Sequence, residues 1–340
     1  MRMAEIKLAE CEQQYQWRAL RVFRMFRLPP PNIRNSIVAE ASRFRSHPAF
    51  PQAVRTNAEQ LLPMTHGQML LNKLATEEAR WLVGALILFQ HFSRDPDDPA
   101  SGATLAKLQA HASMLEVASP GRVSALVGLM RLDGHVVQKT SLQDRRIEHL
   151  EPAEKMLAYV KPWLAAHLEP IRLLDPSADF RDLMAGDSGF LGRFYRDIGT
   201  RFLAGERVLD MTPDIRLFMG RDAGYMILLR MWLADPDGAI PPQRSVCIPY
   251  EEVARSFGVS RAHVRKMMNA AAARGFVRLH AEAGRAIEVL PALVDLFNES
   301  LSLQLATIAH SARVAARSPR ASIRAPHAVS SEESDNAVRA

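Results

Sequence analysis

The sequence predicts a mostly α-helical protein with small β-hairpin wings, built from two copies of one unit in a single chain. Three observations point there. The 340 residues allow two domains or three at ~100–200 residues each, and 48% hydrophobic with 24% charged residues is the composition of a globular chain with a sizeable core. A segment recurs: Ile87 to Asp98 matches Ile227 to Gly238 at an offset of 140, each an apolar helix stopped by an Asp-Pro-Asp turn. Further on, Ser119 to Val136 aligns without gaps with Ser260 to Val277 at an offset of 141, pairing Val123 with Val264 and Gly134 with Gly275.

Taken in order, residues 1–66 carry ten Lys or Arg against five Asp or Glu. Tyr15 to Leu28 sets Arg18, Arg21 and Arg24 among Trp17, Leu20, Phe23 and Phe26 at helical spacing, and Pro29, Pro30 and Pro31 stop it. This stretch is expected to be a basic helical extension that packs on the rest of the protein or on a second subunit. The first unit, 67–170, is expected to hold a helix from Thr104 to His111, a looser turn and a second helix from Ser119 to Leu132. Gly134 follows, then strands near His135 to Lys139 and Arg146 to Leu150, then an amphipathic helix from Pro152 to His167 kinked at Pro162.

The second unit, 171–310, repeats the pattern. Tyr250 to Phe257 is a short helix and Gly258-Val259 a tight turn. Ser260 is an N-cap whose hydroxyl can accept from free amides of the next helix. That helix runs to about Arg274, with Val264, Met267, Met268 and Ala271 on one face and Arg261, His263, Arg265, Lys266 and Asn269 on the other or its margins. Gly275 ends it, and Phe276 to His280 and Arg285 to Leu290 read as a hairpin. Helix, turn, helix and hairpin make a winged helix-turn-helix, whose second helix enters the major groove of DNA. Residues 311–340, rich in Ser, Ala and Arg with Pro319 and Pro326, are expected to be a disordered tail.

The loop Asp144-Arg145-Arg146, followed by Ile147 to Leu150 and by Pro152 ahead of a long helix, resembles the wing of the MarR-type winged-helix transcriptional regulators of bacteria. The resemblance implies that Asp144 orients Arg145 or Arg146 towards the minor groove, that the Ser119 and Ser260 helices are recognition helices, and that the helix after the wing helps form a dimer interface. The second unit lacks the Asp-x-Arg wing. Glu151 to Glu154 stands where that family usually has Thr-x-x-Gly.

Duplex binding needs cations for phosphate and a polar edge for bases. From Ser260 to Arg285 there are six basic residues against one acid, Glu282. Arg265 and Lys266 suit phosphate or guanine, Asn269 suits adenine, and Arg261 and His263 lie near a positive helix terminus, with Arg278 and Arg285 on the hairpin. The first helix offers Arg122 and Ser124 beside its cap Ser119, and its wing offers Lys139, Gln143, Asp144, Arg145 and Arg146. The second unit is therefore expected to read the major groove, and the first to anchor backbone and minor groove.

Other classes find less support. Apart from the Asp turns, no ligand spacing for a metal, phosphate-binding glycine loop or nucleophile elbow appears, so the chain is expected to be no enzyme and to need no cofactor. The longest apolar run, Trp81 to Phe89, is too short to cross a bilayer, and the N-terminus does not read as a secretory leader, so a cytoplasmic, nucleoid-associated protein is expected. Cys247 should be a packed small hydrophobe, and Cys11 has no assigned role. Asp95 and Asp235 read as turn residues rather than cation ligands. Met219, Met226 and Met231 read as core, with an adaptable effector pocket as the other possibility. The partner expected is double-stranded DNA, with a small-molecule effector open and an intrachain pseudo-dimer or a homodimer as the arrangement. A plasmid replication initiator with tandem winged helices, and a winged-helix protein-interaction factor, are the alternatives.

Overall fold

The computed structural model describes residues 31–65 and 77–317. The basic stretch from Tyr15 to Leu28 and Cys11 lie outside the described residues. The helices are α1 (Pro31–Arg45), α2 (Phe50–Thr65), α3 (Glu78–Phe92), α4 (Leu105–Met114), α5 (Pro120–Leu132), α6 (Glu154–Leu174), α7 (Phe180–Gly186), α8 (Phe190–Leu203), α9 (Val208–Met211), α10 (Arg216–Met219), α11 (Gly224–Trp232), α12 (Tyr250–Phe257), α13 (Arg261–Ala273) and α14 (Pro291–Arg317). Two antiparallel hairpins interrupt them, β1 (Val136–Thr140) with β2 (Glu148–Pro152) and β3 (Val277–Ala281) with β4 (Ala286–Val289). No helix among the described residues is long and apolar enough to cross a membrane.

The same order of elements occurs twice: α3, α4, α5, β1, β2, α6 and α11, α12, α13, β3, β4, α14. Local chemistry repeats with it. The Ser119 hydroxyl caps α5 by accepting from the Arg122 amide at 3.3 Å, and Ser260 caps α13 by accepting from the His263 amide at 3.0 Å. Gly134 and Gly275 end these helices at φ of +75° and +70°, left-handed backbone that favours glycine. Each hairpin also gains a bond from the segment ahead of its unit's short helix: Leu150 donates to the Ala103 carbonyl at 2.8 Å, and Val246 pairs with Ile287.

The repeat reaches further towards the N-terminus than its hydropathy showed. At an offset of 140, Phe50 in α2 meets Phe190 in α8, Val54 meets Phe194, Asn57 meets Asp197 and Leu61 meets Arg201. The packing is exchanged between copies: α2 lies on α6 of its own copy and α11 of the other, while α8 lies on α14 of its own copy and α3 of the other. Residues 31–65 are thus no appended extension. Helix α1 packs along α14, and Phe50, Val54 and Leu61 join one continuous core.

Two further expectations are corrected. Helix α14 continues past the expected tail boundary to Arg317, because Ile308, Ala312 and Ala315 extend its buried stripe. Small alanines carry too little hydropathy to advertise that stripe. Residues 318–340 lie outside the described residues. Helix α6 does not stop at His167 but runs through Pro162 and Pro170 to Leu174. Proline at 170 has no amide for the Ala166 carbonyl four residues back, and Asn57 of α2 supplies the missing donor at 3.2 Å. The Asn57 side-chain oxygen accepts from Tyr225 of α11 at 3.4 Å, so this one buried amide joins both copies.

The Asp-Pro-Asp segments are turns. Asp95 accepts from the Asp97 amide at 3.0 Å. Buried Asp235 accepts from four amides, those of Asp237, Ala239, Gln243 and Arg244, at 2.8 to 3.1 Å. Burial would raise its pKa, but these amides hold it down to about 2. Cys247 is exposed, contrary to expectation, because strand alternation turns Val246 and Ile248 inward and leaves the residue between them outside.

Candidate nucleic-acid interface

Helix α13 buries Val264, Met267, Met268 and Ala271. That choice of buried face fixes what is left outside. Arg261, Arg265 and Asn269 follow one another at steps of four along the exposed side, with Lys266 beside them. None of these four side chains has a hydrogen bond or ion pair among the described residues. Arg274 past the helix end and Arg285 just before β4 are likewise exposed and unpaired there.

Other expected contacts are already engaged. The Arg122 guanidinium donates to Glu77 at 2.7 Å, and His263 Nε2 meets the Asp222 carbonyl at 2.9 Å. The two residues occupy the same repeat position, and each ties its helix to the start of the first helix of its own unit, α3 or α11. They are tethers. Spacing could not reveal this, because their acceptors lie about 40 residues upstream in sequence. Asp222 also pairs with Arg80 of α3 at 3.0 Å, so it connects the seating of α13 to the other copy.

Ser124 lies between α5 and α4, accepting from Gln109 at 2.9 Å and donating to the Pro120 carbonyl at 3.1 Å. Lys139 pairs with Glu151 at 2.7 Å, Gln143 donates to the Pro96 carbonyl at 3.2 Å, and Arg278 pairs with Glu288 at 2.8 Å. Asp144 accepts from the backbone amide of Arg146 at 3.0 Å, so its carboxylate shapes the turn instead of steering an arginine side chain. Arg145 and Arg146 remain exposed and unpaired among the described residues.

The two heads therefore present different faces. Where α13 has Arg261, Arg265, Lys266 and Asn269, the aligned positions of α5 are Pro120, Ser124, Ala125 and Gly128. On the first head, the cations from α5 through the hairpin that have no partner among the described residues are Arg131 near the helix end and the Arg145-Arg146 pair of the loop.

A second feature lies at the junction of the copies, a cavity of about 180 Å³. Trp81, Trp163, Phe202, Met219, Met226 and Ile308 form much of its apolar wall, with Leu61 and Arg201, aligned by the repeat, among the other lining residues. The expectation of core packing holds for Met231 and Met226, both buried in the core, while Met226 and the half-buried Met219 also line the cavity. The signal in the sequence was a charged residue at position 201 where the other copy has leucine. It becomes visible only once α2 and α8 are aligned.

Among the described residues, no group of three or more His, Cys, Asp or Glu side chains is placed to hold a metal ion. No protein-family model matches the chain, and neither the curated proteins nor the solved structures contain a significant match to it.

Proposed function

We propose that the chain is a sequence-specific, double-stranded-DNA-binding transcriptional regulator, made of two winged helix-turn-helix units whose second unit is the principal reading head. The observation that carries this is the outer face of α13, where Arg261, Arg265, Lys266 and Asn269 stand together, exposed and without partners among the described residues. Desolvating four such groups is unfavourable unless a partner supplies complementary groups, and a duplex supplies acceptors as phosphates, guanine O6 and N7 and adenine N7, with the adenine N6 amino group as a donor to the Asn269 side-chain oxygen. Arg265 and Asn269 read base edges, Arg261 and Lys266 hold phosphates, and Arg285 approaches the backbone from the hairpin.

The first head, lacking that face, contributes Arg145 and Arg146 as an anchor. Helices α6 and α14, which follow the two hairpins, contact each other within the chain. That contact supports the reading of a covalently linked pseudo-dimer. Linking the heads raises the effective concentration of the weaker one at its half-site.

Selection of bound duplexes from a random pool tests the proposal. The expected product has one strongly specified half-site, and Asn269→Ala relaxes a single adenine position at a cost of roughly 1–3 kcal/mol. Two identical half-sites in inverted orientation would overturn the division of labour, and no enrichment at all would overturn sequence-specific binding.

A further inference from the structure

The cavity between the copies has the make-up of a ligand site whether or not α13 binds DNA. Its volume, about 180 Å³, exceeds the ~150 Å³ of an engineered apolar cavity that takes up benzene. Its wall is mostly apolar, and two methionines, Met219 and Met226, give it flexible, polarizable sides. Such walls with a few convergent polar groups are the usual make-up of small-molecule sites.

The polar group that matters is Arg201 of α8. Its side chain is only 4% exposed. Nε donates to Glu206 at 2.7 Å, but Nη1 and Nη2 are buried without a hydrogen-bond acceptor. The nearer carboxylate oxygen of Asp197 is 3.9 Å from Nη1, too far for a hydrogen bond. A guanidinium presents five N–H donors, and leaving buried donors unmet is costly. The site lacks an acceptor.

Charge decides which kind. Asp197 and Glu206 already bring two negative charges to the one positive charge of Arg201. The other acids of the wall, Glu77 and Glu78, are matched by Arg122 and Arg216, while Arg207 is held by Asp210. His167 adds no positive charge near neutral pH, because full burial lowers its pKa to about 4. A further anion would enter an environment with no cationic surplus. A neutral oxygen would meet the unfilled donors without that repulsion. We propose that this cavity binds a small, uncharged, ring-bearing molecule through a carbonyl oxygen received by Arg201, with the ring against Trp81, Trp163, Met219 and Met226.

The test uses the full chain and three probes of similar size, cyclohexyl methyl ketone, ethylcyclohexane and cyclohexanecarboxylate, titrated by calorimetry at pH 7. The ketone is expected to bind saturably and at least tenfold more tightly than either of the others. Arg201→Lys keeps a positive charge beside Asp197 and Glu206 but removes the forked donors, and should weaken the ketone at least tenfold. Met219→Trp fills the cavity from a half-buried wall position without touching Arg201, and should abolish binding while circular dichroism stays that of the wild type. If Arg201→Lys fails to fold, the probe series and Met219→Trp decide. Absence of saturable ketone binding, equal or tighter binding of the carboxylate or hydrocarbon, or undiminished ketone binding by Met219→Trp would each overturn the proposal.

Discussion

At the scale of single residues, what separates an expected DNA contact from an actual candidate is whether its hydrogen-bonding capacity is already used. Arg122 and Arg265 look alike in sequence, each a basic residue early in a serine-capped helix. Arg122 is held by Glu77, whereas Arg265 is unpaired among the described residues. Arg122→Ala should therefore lower stability by about 1 kcal/mol, the worth of a half-exposed ion pair, and change DNA affinity less than twofold. Arg265→Ala should do the reverse, leaving the unfolding midpoint in place while affinity in a gel-shift titration falls at least fivefold. Asp235 gives a second contrast. Its pKa is held at about 2, against ~3.9 in an unfolded chain, so its amide bonds stabilise the fold above pH 4 and that contribution is lost as pH falls towards 2. Asp235→Asn should cost about 2 kcal/mol at pH 7. The difference from wild type in urea unfolding should shrink between pH 4 and pH 2.

At the scale of elements, the sequence made some features legible and hid others for identifiable reasons. Helices α12 and α13 begin and end within a residue or two of expectation, because Ser260, Gly258 and Gly275 are local signals whose physics is complete within a few residues. The membership of α2 in the repeated unit was not legible. Val54 aligns with Phe194 and Leu61 with Arg201, pairs that keep a position without keeping its chemistry. The run of α6 through Pro170 was hidden too, since it relies on Asn57, more than a hundred residues away. Asn57→Leu should cost roughly 1–3 kcal/mol by leaving the Ala166 carbonyl buried and unmet. The fit of α8 against α3 offers another check. A Cβ on Gly199 would lie 2.3 Å from the Phe89 ring, so Gly199→Ala should lower the urea midpoint by the equivalent of about 1–3 kcal/mol through overpacking.

At the scale of the whole molecule, two similar copies have diverged into unequal heads joined by one continuous core. Exchange of α2 and α8 between the copies removes any boundary at which they could separate cleanly, and Asp222, which both pairs with Arg80 and accepts from His263, ties the seating of one head to the body of the other. The chain's modest net charge of +6 conceals this inequality, because among the described residues most arginines outside α13 are matched by carboxylates while those of α13 are not. The most direct measurement is the salt dependence of affinity for a random-sequence duplex, compared between the wild type and the Arg261→Ala/Lys266→Ala double variant. Each lost phosphate contact removes about 0.9 from the slope of log K against log salt. If α13 grips phosphates, the wild-type slope is steep and becomes shallower by about 1–2 in the variant. A wild-type slope near zero, or an identical slope in both proteins, would show that it does not.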